Sequence, residues 1–184
     1  MTGSIRYFLA TAISLAFASP LIAQTTPDFQ LGPVFDDFGP HVEVPGMTVL
    51  PADAAFSHSF DVAEQAEGEE RNRGIERAAR FINMHVTVGV PRENIRIAVV
   101  LHGTAVLDLL TDERRKARDF GDTNPSGAMV RAMLADDVQF IICGQSLAGP
   151  GYSYDEMIPG VELALSAMTA HAQLQQDGYT VNPF

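Results

Sequence analysis

Apolar and polar positions alternate in blocks from about residue 56 to the end of the chain. Two runs, at 95–101 and 138–143, are apolar at nearly every position, which is typical of strands covered on both faces of a parallel sheet. Residues 58–62 alternate in polarity and predict a first strand, while 161–165 and 179–181 are shorter candidates. The pattern therefore predicts five strands.

Helical periodicity separates these strands. Residues 71–88 carry apolar side chains three and four positions apart, which predicts an amphipathic helix. Asn124 and Pro125 have the character of a helix cap and a first helical residue, and Ser166 is a candidate cap for a last helix at 167–176. A short helix is expected at 105–110. The charged stretch 111–123 does not indicate one structure.

The order of these elements favours a mostly parallel five-stranded sheet with helices on both faces, because parallel neighbours are joined by crossovers that cover the sheet. We therefore expect an α/β fold, a three-layer α/β/α sandwich of the flavodoxin-like kind. In such open sheets, ligands and chemistry collect beyond the carboxyl ends of the strands.

Residues 24–55 differ from the rest in composition. Five prolines and three glycines punctuate this segment, which argues against a helix. Spaced apolar residues such as Phe35 and Phe38 suggest that it lies against the domain. We predict an extended N-terminal arm at 24–55 and one α/β domain at 56–184, since this length suits a single core.

The first 23 residues have the features of a secretory signal peptide. Arg6 precedes an uncharged run that reaches Ala23 and is broken by Pro20, as in segments that are removed after export. Cleavage after Ala23 is the prediction, and cleavage after Ala18 is the alternative. An uncleaved membrane anchor is the minority interpretation, because a spanning helix needs about 20 apolar residues. The expected location is periplasmic or secreted.

The charge of the chain limits its partners. Its 23 acidic and 12 basic residues give a formal net charge of −11, which disfavours binding to nucleic acid and to anionic lipid. The five histidines show no spacing typical of a metal site. We predict no metal, no cofactor, no nucleic-acid partner and no stable membrane span.

Two of the predicted strands end in chemically reactive side chains followed by glycine. His102 precedes Gly103, and the single cysteine, Cys143, precedes Gly144. If the two strands are neighbours, both side chains open at the same edge of the sheet. The alternative is that Cys143 is a small apolar residue of the core and that His102 only satisfies a turn.

From about Phe56 to the C-terminus the chain resembles the DsrE/DsrF-like family, small α/β proteins that include sulfur-relay subunits. The resemblance rests on five motifs in this order: Val99-Val100-Leu101-His102-Gly103, Asn124-Pro125, Phe140-Ile141-Ile142-Cys143-Gly144-Gln145-Ser146, Ile158-Pro159-Gly160-Val161 and Leu174-Gln175-Gln176-Asp177-Gly178-Tyr179. The chain departs from the relay pattern in one respect, because no Lys or Arg follows Gln139.

The resemblance implies that Cys143 accepts sulfane sulfur as a persulfide and passes it on. Such chemistry requires a thiolate, and His102 is the candidate that holds or deprotonates it. Backbone N–H groups after Gly144 are candidates to stabilise the anion. The predicted binding residues are Gly103, Gly144, Gln145, Ser146 and Tyr152.

The same resemblance implies a homo-oligomer, with a sulfur donor or acceptor protein as a further partner. A second hypothesis from a different class stays open. In it the chain is a non-catalytic oligomeric binding or scaffold module that keeps the fold without the chemistry. The two hypotheses differ in whether the thiol of Cys143 is reactive in the native protein.

Overall fold

A computed structural model describes residues 28–182, so the predicted signal peptide at 1–23 lies outside the described part of the chain. Five parallel strands form one sheet in the order β4-β3-β2-β1-β5. The strands are β1 Phe56–Val62, β2 Ile95–Leu101, β3 Gln139–Cys143, β4 Glu162–Ala164 and β5 Thr180–Asn182. All four pairings are parallel, which confirms the predicted sheet.

Helices cover both faces of this sheet. One face packs against α1 and α3, and the other packs against α5, as the two separate groups of buried side chains indicate. The α-helices are α1 Arg73–Thr87, α2 Asp112–Ala117, α3 Gly127–Ala135, α4 Gly144–Ala148 and α5 Ala167–Gln176, with 3₁₀ turns at Arg92–Asn94, Gly103–Leu109 and Tyr154–Glu156. The three-layer α/β sandwich predicted from the pattern is confirmed.

Alternation along β2 and β3 divides the core between the two faces. Leu101 pairs with Ile142, and both lie in the larger core on the side of α1 and α3. Val100 and Cys143 belong to the smaller core beneath α5. Because side chains alternate along a strand, the position of Cys143 on the α5 side follows from its place one residue after Ile142.

Two helices begin later than the sequence pattern suggests, and side-chain caps explain both shifts. Asn72 accepts hydrogen bonds from the N–H groups of Gly74 and Ile75, so α1 starts at residue 73. The amide of Asn124 donates to the carbonyls of Asp108 and Leu110 while its oxygen accepts from the N–H of residue 126. These bonds hold Asn124 in a turn, and α3 starts at residue 127.

Residues 28–55 pack against α1 without forming a helix or an extended strand. An isolated antiparallel bridge joins Gln30 and His41, and the stacked rings of Phe35 and Phe38 are buried with centroids 4.8 Å apart. The fully buried amide of Asn83 on α1 hydrogen-bonds the backbone of residues 34–39. Within residues 28–182, no helix has the length and apolarity needed to cross a membrane.

Candidate functional site

The site lies at the carboxyl ends of β1, β2 and β3. Because Leu101 pairs with Ile142 in the parallel register, the next residues, His102 and Cys143, leave adjacent strands at the same edge. Cys143 is a free cysteine and is 5% exposed. It packs beside Ala167 at the start of α5. The topology therefore brings the two reactive side chains to one edge, as expected for neighbouring strands.

Hydrogen-bond donors surround the sulfur atom of Cys143. Burial by itself would raise the pKa of this thiol, but hydrogen bonds from the Ser146 hydroxyl and from the N–H groups of Ser146, Ala167 and Gln145 outweigh it and lower the pKa. The N–H groups come from the first turns of α4 and α5, where the backbone has no partner within the helix. These four donors favour the thiolate over the thiol.

Ser146 links the loop after β2 to the thiol. Its Oγ accepts a hydrogen bond of 2.9 Å from the N–H of Gly103, which leaves the hydroxyl proton for the sulfur of Cys143. Gly103 has a φ of +56°, and a Cβ at this position would lie 2.7 Å from the carbonyl oxygen of Ala63. A glycine is therefore required for the loop to approach Ser146 in this way.

Gly144 allows β3 and β4 to approach closely just beyond the cysteine. A Cβ on this residue would lie 2.8 Å from the carbonyl oxygen of Ala164. The following side chain, Gln145, is exposed and donates weakly, at 3.5 Å, to the carbonyl of Leu165. Gln145 thus contributes its N–H to the sulfur, while its side chain lies toward solvent.

His102 belongs to a second polar group beside the thiol site. Its Nε2 lies 3.2 Å from the carboxylate of Asp61, and the Nε2 of His171 on α5 lies 2.8 Å from Oδ1 of the same carboxylate. His171 is held in turn by Ser59, whose Oγ is 3.2 Å from Nδ1. One carboxylate therefore lies between two imidazoles at the end of β1.

The electrostatics of this group favour an ionised Asp61. Burial alone would raise the pKa of Asp61, but hydrogen bonds from His171 and His102, together with attraction to both imidazoles, lower it. The ionised carboxylate accepts hydrogen bonds from Nε2 of both imidazoles. His102 and Asp61 therefore form one hydrogen-bonded pair at the edge of the sheet.

The structure brings most of the predicted site residues together and separates one. Cys143, Gly103, Gly144, Gln145 and Ser146 form one connected group, and His102 lies at the same edge. Tyr152 packs against the core on the opposite face, with the guanidinium carbon of Arg118 4.5 Å from its ring centroid. These contacts place Tyr152 on the face of the sheet opposite Cys143, where it packs against the larger core.

Three contributors were not identified from the sequence: Asp61, His171 and the N–H of Ala167. Asp61 is the last polar residue of the alternating strand β1 and could have been noticed as a carboxylate at a strand end. His171 gives no such signal, because its contact with Asp61 spans 110 positions of the chain. Within residues 28–182, no group of three His, Cys, Asp or Glu side chains is arranged to hold a metal ion.

Comparison with known proteins agrees with this architecture. A structure of a protein of unknown function from Methanobacterium thermoautotrophicum is similar to it with a TM-score of 0.50 at 20% sequence identity, over 70% of this chain and 99% of that one. This likeness concerns the fold alone. No match is found among curated proteins. The family model of the DsrE/DsrF-like family matches residues 59–183, and the chain therefore belongs to the DsrE/DsrF-like family.

Proposed function

We propose that the protein is a sulfur carrier in which Cys143 holds sulfane sulfur as a persulfide and transfers it to an acceptor thiol. Membership of the DsrE/DsrF-like family suggests a role related to sulfur relay. The observation that carries the proposal for this chain is the set of four donors on the sulfur of Cys143. They stabilise a thiolate without a Lys or Arg nearby in the sequence.

Loading is a displacement at sulfur. The thiolate of Cys143 attacks the terminal sulfur of a polysulfide, so that a new S–S bond forms to Sγ and an S–S bond of the polysulfide breaks. The electron pair of the broken bond leaves with the shortened polysulfide. No external oxidant is needed, because the sulfur transferred is already at the sulfane level. The low pKa of Cys143 increases the fraction of attacking thiolate at neutral pH.

Unloading reverses the roles of the partners. The thiolate of an acceptor attacks the outer sulfur, the bond between that sulfur and Sγ breaks, and its electron pair returns to Cys143. The donors from Ser146, Gln145 and Ala167 then stabilise the leaving thiolate. When the acceptor arrives as a thiol, His102 accepts its proton and Asp61 stabilises the imidazolium.

The proposal includes an exported, oligomeric protein. Cleavage after Ala23 would release the chain into the periplasm or the medium. Three exposed apolar side chains flank the thiol site: Leu163 on β4, Leu165 just after β4 and Met168 on α5. Such a patch suits contact with a second copy or with a sulfur-relay partner. Light scattering of the mature protein tests the assembly, and a strict monomer contradicts that part of the proposal.

The test of the carrier function is mass spectrometry of the mature protein after brief exposure to polysulfide. The wild type is expected to gain about 32 Da, the mass of one sulfur atom, for each sulfur added. The adduct should disappear on addition of a small thiol acceptor. Cys143→Ser should remain unmodified. Because Cys143 is the single cysteine, an unmodified native wild type contradicts the proposal directly.

A second function remains in competition because Cys143 is only 5% exposed. In a non-catalytic oligomeric binding or scaffold module, the thiol would be an inert part of the core. Titration with a thiol reagent in native and denatured protein separates the two functions. A carrier labels in the native state, whereas a scaffold module labels only after denaturation.

A further inference from the structure

A cavity of about 550 Å³ lies between residues 42–50 and the C-terminal half of α1. It is remote from the thiol site, because α1 starts at the carboxyl edge of the sheet and ends near the start of β2. Its walls are mainly apolar and are formed by Val44, Met47, Leu50, Met84 and Val88. Apolar walls with few polar groups are the usual composition of a small-molecule site.

One polar atom at this cavity has no partner. His41 lines the cavity, is 5% exposed and has a buried Nδ1 that makes no hydrogen bond. Its Nε2 lies 3.0 Å from the hydroxyl oxygen of Thr87, and that hydroxyl donates its proton to the carbonyl of Asn83 at 2.8 Å. The Thr87 oxygen therefore accepts from Nε2–H, and in the tautomer that carries its proton on Nε2 the unpartnered Nδ1 is an acceptor.

A second imidazole, that of His85, also lines the wall and has one ring nitrogen in a hydrogen bond. The Nδ1 of His85 lies 2.7 Å from the carbonyl oxygen of Phe81 and must donate to it. Burial lowers the pKa of His85 and outweighs the opposing effect of that hydrogen bond, so the ring is neutral at pH 7. Its remaining nitrogen is then an acceptor as well. The imidazole of His85 thus offers an acceptor rather than a positive charge.

The charges of the wall exclude an anionic ligand. None of the described residues that line the cavity is Lys or Arg, and Glu43 adds a negative charge at its edge. A carboxylate or phosphate would lose its hydration there without gaining a cation. A hydrogen-bond donor on an otherwise apolar molecule would satisfy the buried nitrogen that has no partner.

We propose that this cavity, defined by His41 and its apolar walls, binds a neutral and mainly apolar small molecule that carries a hydroxyl group. The hydroxyl donates to Nδ1 of His41, and the apolar body contacts Met47, Met84 and Val88. Because Nδ1 is covered, entry displaces a side chain at the rim. Met47 and Met84 are suited to this movement, since methionine is unbranched and adaptable.

Three naphthalene probes of similar size test the chemistry. 2-Naphthol carries the hydroxyl donor, 2-methoxynaphthalene lacks it, and 2-naphthoate is an anion. Their fluorescence can be followed without interference from tryptophan, because the chain has none. We expect 2-naphthol to bind about fivefold more tightly than 2-methoxynaphthalene, as one neutral hydrogen bond allows, and 2-naphthoate not to bind. Equal affinities of the first two, or tighter binding of the anion, overturn the proposal.

Two variants and one control locate the site. Met47→Glu should abolish binding of 2-naphthol, whereas Val49→Glu should not, because Val49 is 87% exposed and lies outside the wall. His41→Phe removes the acceptor and should equalise the affinities of 2-naphthol and 2-methoxynaphthalene. Methyl NMR signals of Met47 and Met84 should shift with 2-naphthol in the wild type. Binding that survives Met47→Glu, or that leaves both methyl signals unmoved, overturns the assignment even if His41→Phe fails to fold.

Discussion

Replacing Ser146 by alanine removes one of the four donors on the sulfur of Cys143 and leaves the other three in place. The side chain lost is small, half-buried and held by the N–H of Gly103. The N–H of residue 146 itself is unaffected by the substitution. Ser146→Ala therefore changes the electrostatics of the thiol with little change in packing, and the pKa of Cys143 is expected to rise.

The size of this rise follows from the strength of a hydrogen bond to a charged acceptor. Such bonds contribute about 1.5–3 kcal/mol, and one pKa unit corresponds to about 1.4 kcal/mol. Sulfur is a weaker acceptor than oxygen, so the lower end applies. Loss of the hydroxyl should therefore destabilise the thiolate by about 1.5 kcal/mol relative to the thiol, which raises the pKa of Cys143 and lowers the fraction of thiolate at neutral pH.

The thiolate can be measured by its ultraviolet absorbance as a function of pH, with Cys143→Ser as the blank. Gln145→Ala is the matched control, because the side chain of Gln145 lies toward solvent and only its N–H contacts the sulfur. Ser146→Thr should restore the low pKa by restoring a hydroxyl. If Ser146→Ala and Gln145→Ala give the same pKa as the wild type, the hydroxyl does not stabilise the thiolate and the reasoning is wrong.

Three further substitutions test contacts that hold the fold together. Hydrogen bonds from Arg118 lower the pKa of Glu156 to about 2; the stability gained from this pair is present above pH about 4.5 and is lost as pH falls toward 2. Glu156→Gln should reduce this loss of unfolding free energy at acid pH, as measured by urea unfolding at several pH values. A pH dependence equal to that of the wild type contradicts the pairing. Asn83→Ala should lower the free energy of unfolding by about 3 kcal/mol, because it leaves several buried backbone groups without partners. A loss below about 1 kcal/mol in the same assay would show that this amide does not hold residues 34–39 against α1. Gly103→Ala should cost about 2 kcal/mol in thermal unfolding, from the positive φ and the contact with the Ala63 carbonyl; an unaltered melting temperature would refute the steric argument.

Elements with strong local signals were predicted nearly to the residue. The strand Ile95–Leu101 has the predicted bounds, because a continuous apolar run marks a doubly covered strand. Helix α5 also starts and ends as predicted, and the hydroxyl of Ser166 accepts from the N–H of Thr169 at its start. In both places the information lies within a few consecutive residues.

Elements that depend on distant contacts were less predictable. Helix α4 was not identified, since five residues are too few to show a helical period. The start of α3 was placed two residues early, because the amide of Asn124 is bound by the carbonyls of Asp108 and Leu110. The charged stretch 111–123 became α2 and a turn, in which Arg115 holds the carbonyls of Phe120 and Thr123.

The pattern of apolar and polar positions was sufficient for the α/β class and for placing His102 and Cys143 at strand ends. Burial of a strand on two faces leaves a local composition that can be recognised without knowledge of the fold. The partners of those two side chains could not be obtained in that way. Asp61 meets His171 only because β1 lies between β2 and β5 and α5 crosses the face opposite α1. Strand order and crossover depend on contacts between residues far apart in the chain. These contacts determine that the carboxylate of Asp61 faces the imidazoles of His102 and His171.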